Sequence, residues 1–283
     1  IQLIFPQINN YNVIKNISID NAEVQVASIE ELKGSANPRN AEIMYFTSQS
    51  GMKLKFVRII LNETKVRVEP GALYYMNGKL EMKASTGGGI VKGLFRKATS
   101  GESFFVNEIH GTGTIVLEPT FGHFLLHEME DGNEGVICDK GMFYAGAGSL
   151  DISAKLQKNI SASLFGGEGL WQTSITGNGI AVLYSPVPED EITIIELNNE
   201  KLSVDGNFAL MRTSGVEFKA EKSSKSWLST SVSGEGILQT FSGTGKVWLA
   251  PTQGVYEKLA TEDGMMILSQ SPGSLGTKVD DKK

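Results

Sequence analysis

A short glycine-containing phrase occurs three times in this chain and constrains its fold more than any other feature. It reads GTGTIVLEP at 111–119, GNGIAVLYSP at 177–186 and GTGKVWLAP at 243–251, and its second glycine recurs every 66 residues. A fixed period of this kind is the mark of repeated structural units. The sequence therefore predicts one module that is used three times.

Two further landmarks precede the phrase in the same order each time. One reads SGESFF at 100–105, GGEGLW at 166–171 and SGEGIL at 233–238, and the other begins at EPG (69–71), DKG (139–141) and VDG (204–206). We place the three units at 52–122, 123–190 and 191–254. An N-terminal extension at 1–51 precedes them, and a closing strand with a polar tail at 255–283 follows them.

Each unit has the pattern of short β-strands. LEMKAS (80–85), LDISAK (150–155) and VEFKAE (216–221) alternate apolar and polar residues with period two, and a proline closes each copy of the glycine phrase. Helical periodicity is confined to 27–34 and, as a second candidate, 88–98. The sequence predicts an all-β fold with three repeats around a pseudo-threefold axis, because a closed arrangement exposes fewer sheet edges than a stack.

Composition excludes several classes of protein. The chain has 283 residues, of which 40% are hydrophobic, so it can bury a core, and it has no apolar run near the length of about 18 residues that a membrane span needs. The opening IQLIFPQ lacks the basic region of a signal peptide. A net charge of −6 disfavours nucleic acid as a partner. The single cysteine fits a reducing compartment, and we expect a cytoplasmic location.

No motif indicates catalysis. His123 and His127 lie in a strand-like run, where four residues span about 13 Å, too far for both rings to bind one metal ion. We interpret them as surface histidines on one face. Cys138, in GVICDKG, has the setting of a small buried hydrophobic residue rather than a nucleophile. The chain has no G-x-S-x-G elbow or phosphate-binding loop, so we expect no catalytic residue, cofactor or metal.

The stretch GGGIVKGLFRKATSGESFFVNEIHGTGTIVLEP (87–119) resembles the signature of the family named for altered inheritance of mitochondria, a mitochondrial biogenesis family with many bacterial members. The resemblance covers about 50–270. It implies a fold similar to that of the tryptophan RNA-binding attenuation protein, a short double-stranded β-helix-like module. We carry over neither the RNA nor the tryptophan of that relative, because this chain is acidic and has no matching set of ligand residues.

Two functions remain open. The first is a non-enzymatic interaction or scaffold protein, which binds a protein partner or associates with itself. The second is a small-ligand-binding protein or enzyme with its site between repeat units. A membrane surface is a weaker candidate partner for the first.

Three glutamates recur at equivalent corners, each before an apolar strand. We expect each carboxylate to accept hydrogen bonds from nearby backbone N–H groups and so to hold its turn. The alternative is a ring of three carboxylates that binds a cation. The three residues are Glu102, Glu168 and Glu235.

The segments before these glutamates contain apolar residues among small and polar ones. In a closed threefold arrangement they gather at one end, where they either plug the core or bind a partner. Basic residues beside the first segment would suit an anionic partner. The candidate partner-binding residues are Ile90, Val91, Leu94, Phe95, Arg96, Leu164, Phe165, Trp227 and Leu228.

Overall fold

The computed structural model describes residues 11–86, 105–130, 132–157, 170–222 and 237–270. Within them strands dominate, as the sequence predicts, and they join into one antiparallel sheet. The strands are β1 (Tyr11–Ile19), β2 (Ala22–Ile29), β3 (Leu54–Val68), β4 (Leu73–Thr86), β5 (Phe105–Leu117), β6 (His123–Met129), β7 (Val136–Asp139), β8 (Phe143–Gln157), β9 (Leu170–Ser185), β10 (Thr193–Asp205), β11 (Ala209–Thr213), β12 (Glu217–Lys222) and β13 (Ile237–Leu249).

In the described ranges, helix is limited to short pieces: α1 (Pro38–Gln49), α2 (Gln253–Leu259), α3 (Gly264–Leu268) and a 3₁₀ turn at Glu189–Glu191. The Asn37 side chain caps α1 by accepting a hydrogen bond from the Asn40 N–H at 2.9 Å. None of the residues of α1 is buried.

Two sequence expectations about these regions are wrong. Residues 27–34 form no helix, because Ala27–Ile29 continue β2 in its ladder with β3. Over 255–270 the structure has α2 and α3 where the sequence predicts a closing strand. The second helical candidate, 88–98, lies outside the described residues.

In this sheet, strands that are far apart in the sequence are often neighbours. The hydrogen-bonded path runs β1-β2-β3-β8-β9-β7-β11-β13-β10, and β4, β6 and β12 pair with β5, β9 and β13. The strands that carry the glycine phrase, β5, β9 and β13, each pair along their length with strands on both sides. The predicted unit boundaries and the threefold axis stay predictions.

Glycine in the repeated phrase permits close contact between paired strands. In β9, Gly177 has a φ of +101°, and a Cβ built there would lie 2.3 Å from the Ser149 carbonyl oxygen of β8. Backbone that close leaves no room for a side chain, and L-residues avoid this φ. The close approach therefore explains why glycine occupies this position.

Most buried apolar side chains fall into three clusters along the sheet. One centres on Ile59, Ile109 and Val182, a second on Ile152, Ile175 and Leu183, and a third on Phe218, Phe241 and Val247. The N-terminal extension contributes to the first, because β2 pairs with β3 and buries Val24 and Val26 there. The extension is thus part of the same sheet as the strands that follow it.

Candidate functional site

All the residues singled out from the sequence as partner-binding or turn-forming lie outside the described residues, so both hypotheses stay predictions. These residues are Ile90, Val91, Leu94, Phe95, Arg96, Leu164, Phe165, Trp227, Leu228, Glu102, Glu168 and Glu235.

The structure does show where the three segments begin and end. Each joins two strands of one hairpin, whose last ladder pairs are Thr86 with Phe105, Gln157 with Leu170 and Lys222 with Ile237. The segments therefore connect equivalent ends of three hairpins.

Two short ladders connect consecutive predicted units. In the first, Val66–Val68 of β3 pair with Ala145–Ala147 of β8. In the second, Val136–Cys138 of β7 pair with Met211–Thr213 of β11. We call these the first and second junctions. They are the places where a site between units would be built.

A buried polar network lies at the second junction. The Arg212 side chain is 3% exposed, and its Nη1 donates to the Gln172 Oε1 at 2.8 Å. Its Nε donates to the Val216 carbonyl at 3.1 Å, and its guanidinium lies 5.0 Å from the ring centre of Phe218. Gln172 in turn donates through Nε2 to the Asp139 Oδ1 at 3.0 Å. The network links β7, β9 and β11.

Burial dominates the electrostatics of this network. It raises the pKa of Asp139 above its ordinary value, although the Gln172 hydrogen bond and the Arg212 charge oppose the shift. It lowers the pKa of Arg212 to about 10, so the guanidinium stays charged at neutral pH. A charged group this buried is tolerated only when hydrogen bonds compensate it. The hydrogen bonds from Arg212 to Gln172 and Val216 supply that compensation within the protein.

Cys138 sits beside this network and is fully buried, as the sequence predicts. Burial raises the pKa of its thiol to about 12, with the nearby Asp139 charge adding to the shift. Because the thiolate is the reactive form, Cys138 is an inert part of the core at neutral pH.

A second charged cluster borders the first junction. Glu108 accepts from the Arg67 Nε at 3.0 Å, contacts the His110 Nε2 at 2.6 Å and lies 3.6 Å from the Lys65 Nζ. Arg67 also donates through Nη1 to the Leu150 carbonyl of β8. Burial alone would raise the pKa of Glu108, but the hydrogen bonds from His110 and Arg67 and the neighbouring positive charges hold it below its ordinary value. Glu108 is therefore an ionised anchor for basic side chains.

The two histidines of β6 are less exposed than a surface assignment implies. Burial lowers the pKa of His123 and of His127, and in both cases a nearby lysine charge adds to the shift. The His127 ring makes an edge contact with Trp248, with ring centres 5.7 Å apart. Both imidazoles are thus neutral at pH 7. Across the described ranges, no group of three or more His, Cys, Asp or Glu side chains could hold a metal ion.

Sequence reasoning missed a third feature, an open strand edge on β4. Tyr74, Tyr75 and Met76 are 57%, 37% and 37% exposed, although they sit in the middle of an apolar stretch. A signal was present in the sequence: the aligned stretch in the second unit, YAGAG at 144–148, has small residues where this one has YYMNG. Large apolar residues of the first unit therefore stand at positions that the second unit fills with alanine and glycine.

These features define an all-β protein with one antiparallel sheet, a buried polar network around Arg212, a charged cluster around Glu108, and exposed apolar side chains on β4. The model of the family described as Mitochondrial biogenesis AIM24 matches residues 46–252, which is most of the chain. The chain therefore belongs to the mitochondrial biogenesis AIM24 family.

Individual relatives are bacterial. The chain is 27% identical over 217 residues to an uncharacterized protein of Streptococcus pyogenes serotype M6, an alignment that spans 73% of this chain and 85% of that one. The fold is similar to the X-ray crystal structure of a Streptococcus pyogenes protein, with a TM-score of 0.51, 20% identity, and coverage of 70% of this chain and 88% of that one. The likeness to the tryptophan RNA-binding attenuation protein stays a prediction.

Among the helices that the structure describes, none is long and apolar enough to cross a lipid bilayer.

Proposed function

We propose that this protein is a non-enzymatic interaction module, a scaffold that acts by binding other protein chains. One observation carries the proposal: the exposed aromatic and methionine side chains of Tyr74, Tyr75 and Met76 on the open edge of β4. Apolar side chains that cluster on a surface usually mark an interaction site.

The strand edge strengthens this interpretation. An unpaired edge presents a row of N–H and C=O groups that another strand can bind. In this chain β4 pairs with β5 on one side, and no ladder covers its other side within the described residues. Strand addition with apolar anchors is a recurrent mode of protein recognition. The edge offers both backbone hydrogen bonds and apolar area.

The overall charge agrees with a protein partner rather than a nucleic acid. The chain carries 32 acidic and 26 basic residues, and duplex binding calls for concentrated positive charge. The single buried cysteine suits a reducing compartment, and we place the protein in the cytoplasm as part of this proposal.

The second candidate function is a small-ligand binder or enzyme with a site between units. The observation that favours it is that the buried Arg212 and Asp139 are bridged by Gln172 at the second junction, since buried titratable groups with shifted pKa values often mark sites. Their hydrogen bonds to Gln172 and Val216 favour a structural role instead.

The test compares what two variants capture. Met76→Glu places a charge on the open edge, and Met265→Glu makes the same change at an exposed methionine of α3. Tagged, isotope-labelled wild-type protein and both variants are used as bait in an extract of the organism that makes the protein, and captured proteins, including unlabelled copies of the chain itself, are identified by mass spectrometry.

We expect the wild type and Met265→Glu to capture the same proteins and Met76→Glu to lose at least one of them. Identical captures by all three baits would overturn the assignment of the β4 edge. A small molecule that copurifies in stoichiometric amount and is lost in Arg212→Met would support the second candidate.

A further inference from the structure

One side of each junction is formed by residues at equivalent positions of the repeat. The three residues Ile109, Ile175 and Phe241 lie 66 residues apart on β5, β9 and β13. Their ladder partners mark equivalent positions on the opposing strands, and these partners are Val66, Val136 and Leu202. Val66 belongs to the first junction and Val136 to the second. Leu202 of β10 is the third equivalent position.

The other side of each junction also repeats. Val116, Val182 and Trp248 are again 66 residues apart on the strands of the glycine phrase. Each faces the residue that follows a β-bulge in its partner strand, and these residues are Tyr75, Ala145 and Met211. Ala145 belongs to the first junction and Met211 to the second. Tyr75 of β4 is the third equivalent position.

The register is the same in the two junctions. Val68 pairs with Ala145 in the first, and Cys138 pairs with Met211 in the second. Each ladder has three pairs, and the Glu69 N–H extends the first by donating to the Tyr144 carbonyl at 3.0 Å. Transferred to the remaining positions, this register pairs Val204 with Tyr75, Ser203 with Met76, and Leu202 with Asn77.

The third pair of edges is unoccupied in the part of the chain that the structure describes. Among the described residues, no ladder joins β4 to β10. Exposure separates the filled junctions from the open one: Ala145 and Ala147 are 0% exposed and Met211 is 4% exposed, whereas Tyr75 and Met76 are each 37% exposed. One chain therefore has both halves of a further junction, one at each end of its series of units.

We propose that Leu202–Val204 of one copy pair with Tyr75–Asn77 of a second copy, which forms a third junction between chains. The partner is a second copy because the open edges are the two complementary halves of a ladder that this sequence already forms twice. Charge agrees, because the same register places Glu200 opposite Lys79. Large side chains fit such a junction, as Met211 and Arg212 show in the second.

This association is head-to-tail, so a bound pair leaves one free edge of each kind, β4 on one copy and β10 on the other. Contacts of this type close into a ring or extend as a filament, depending on the rotation between copies. The inference deepens the proposed function and rests on it, since it names a surface and a partner for the interaction module.

The test uses two single-cysteine additions in the full chain, Ser203→Cys and Met76→Cys. The natural Cys138 is buried and does not compete. The variants carry tags of different size, are mixed, oxidised and separated on a non-reducing gel. Residues directly opposite in an antiparallel ladder have Cα atoms about 4.5–5.5 Å apart, within the range that a disulfide spans. Met265→Cys, at an exposed residue of α3, replaces Met76→Cys in the control mixture.

We expect a covalent dimer of Ser203→Cys with Met76→Cys that the control mixture and each variant alone do not form. Native mass spectrometry of the wild type should show larger species that increase with concentration. A heterodimer yield equal to the control, or a wild type that stays monomeric at all concentrations, overturns the inference.

Two further outcomes separate the alternatives. An internal disulfide in monomers of the double variant, Ser203→Cys with Met76→Cys, would mean that the chain closes on itself, and this also overturns the inference. If purified protein does not associate while Met76→Glu still loses other captured proteins, the proposed function stands and only the identity of the partner is wrong.

Discussion

The repeated glycine phrase can be tested by adding one methyl group at two equivalent glycines. Gly177 and Gly243 are both the first glycine of the phrase and have similar φ values of +101° and +117°. Their surroundings differ, because a Cβ at Gly177 would lie 2.3 Å from the Ser149 carbonyl oxygen, whereas a Cβ at Gly243 would lie 3.5 Å from its nearest neighbour, the Gly215 carbonyl oxygen. Alanine at the two positions therefore has a similar backbone cost and a different steric cost.

The magnitudes follow from these two contributions. Alanine in left-handed backbone costs about 1–2 kcal/mol, and the loss of unfolded-chain entropy offsets about 0.4–1 kcal/mol of that. At Gly243 the remaining contact is ordinary van der Waals distance, so we expect a loss of about 1 kcal/mol in the free energy of unfolding. At Gly177 the backbone of β8 must move, which adds the roughly 1–3 kcal/mol of an overpacked core.

The assay is urea denaturation followed by circular dichroism, with thermal unfolding as a second measure. Gly177→Ala should be less stable than Gly243→Ala by about 1–3 kcal/mol, and each kcal/mol corresponds to roughly 2–4 °C in Tm for a chain of this size. Gly34→Ala gives the baseline, because a Cβ there meets no atom within 4 Å. Equal losses at Gly177 and Gly243 would refute the close approach of β8 and β9 as the reason for the glycine.

Three further predictions concern the second junction. Cys138 should not react with DTNB in the folded protein, because its pKa is about 12, and should react fully in urea; fast reaction in the native state would contradict its burial. Arg212→Met should lower the free energy of unfolding by about 2–4 kcal/mol in urea titrations, because Gln172 Oε1 and the Val216 carbonyl lose their donor, and an unchanged midpoint would contradict this. The pKa of Asp139 is raised in the folded state, so the wild type loses stability as pH rises from about 4 to 7 and the carboxyl ionises. Asp139→Asn lacks this ionisation and should therefore become more stable relative to the wild type over the same pH range. Equal pH dependence of the two proteins in urea titrations would show that the Asp139 pKa is not raised.

Local pattern was sufficient to predict several of the strands in the repeated region. The alternating stretches LEMKAS, LDISAK and VEFKAE predict strands, and the structure places them in β4, in β8 and chiefly in β12. The prolines that close the glycine phrase follow β5, β9 and β13 within two residues of each strand's end. Periodicity and proline chemistry act within a few residues, so a single sequence contains the whole signal.

Helices were predicted less well, for identifiable reasons. Ala27–Ile29 look helical beside Glu30 and Glu31, but pairing with β3 decides their conformation, and that contact is distant in sequence. The missed helix α1 has a readable start in Asn37 and Pro38, a capping residue followed by proline at the first helical position. Its side chains are not buried, so it lacks the apolar periodicity by which helices are usually recognised.

The junctions could not be predicted because they depend on contacts between units. The repeat predicts three similar modules, but it does not say which edge of one meets which edge of the next. Arg212 illustrates the difficulty: in ALMRT it reads as an ordinary polar position of a strand, and only the fold places it beside Gln172 inside the protein.

The N-terminal extension covers one sheet edge, that of β3, and covers neither β4 nor β10 within the described residues. β2 pairs with Leu54–Leu61 of β3, so the extension occupies an edge that the units alone would expose. β1 then forms the outer strand of the hairpin, and Lys15 on it lies 2.5 Å from Glu189. Charge on an outer strand discourages further pairing. If the extension served to prevent all association, β4 would be the edge to cover, since it carries more exposed large apolar side chains than any other described strand. Its placement on β3 instead leaves β4 and β10 accessible, which is what assembly through those two edges requires.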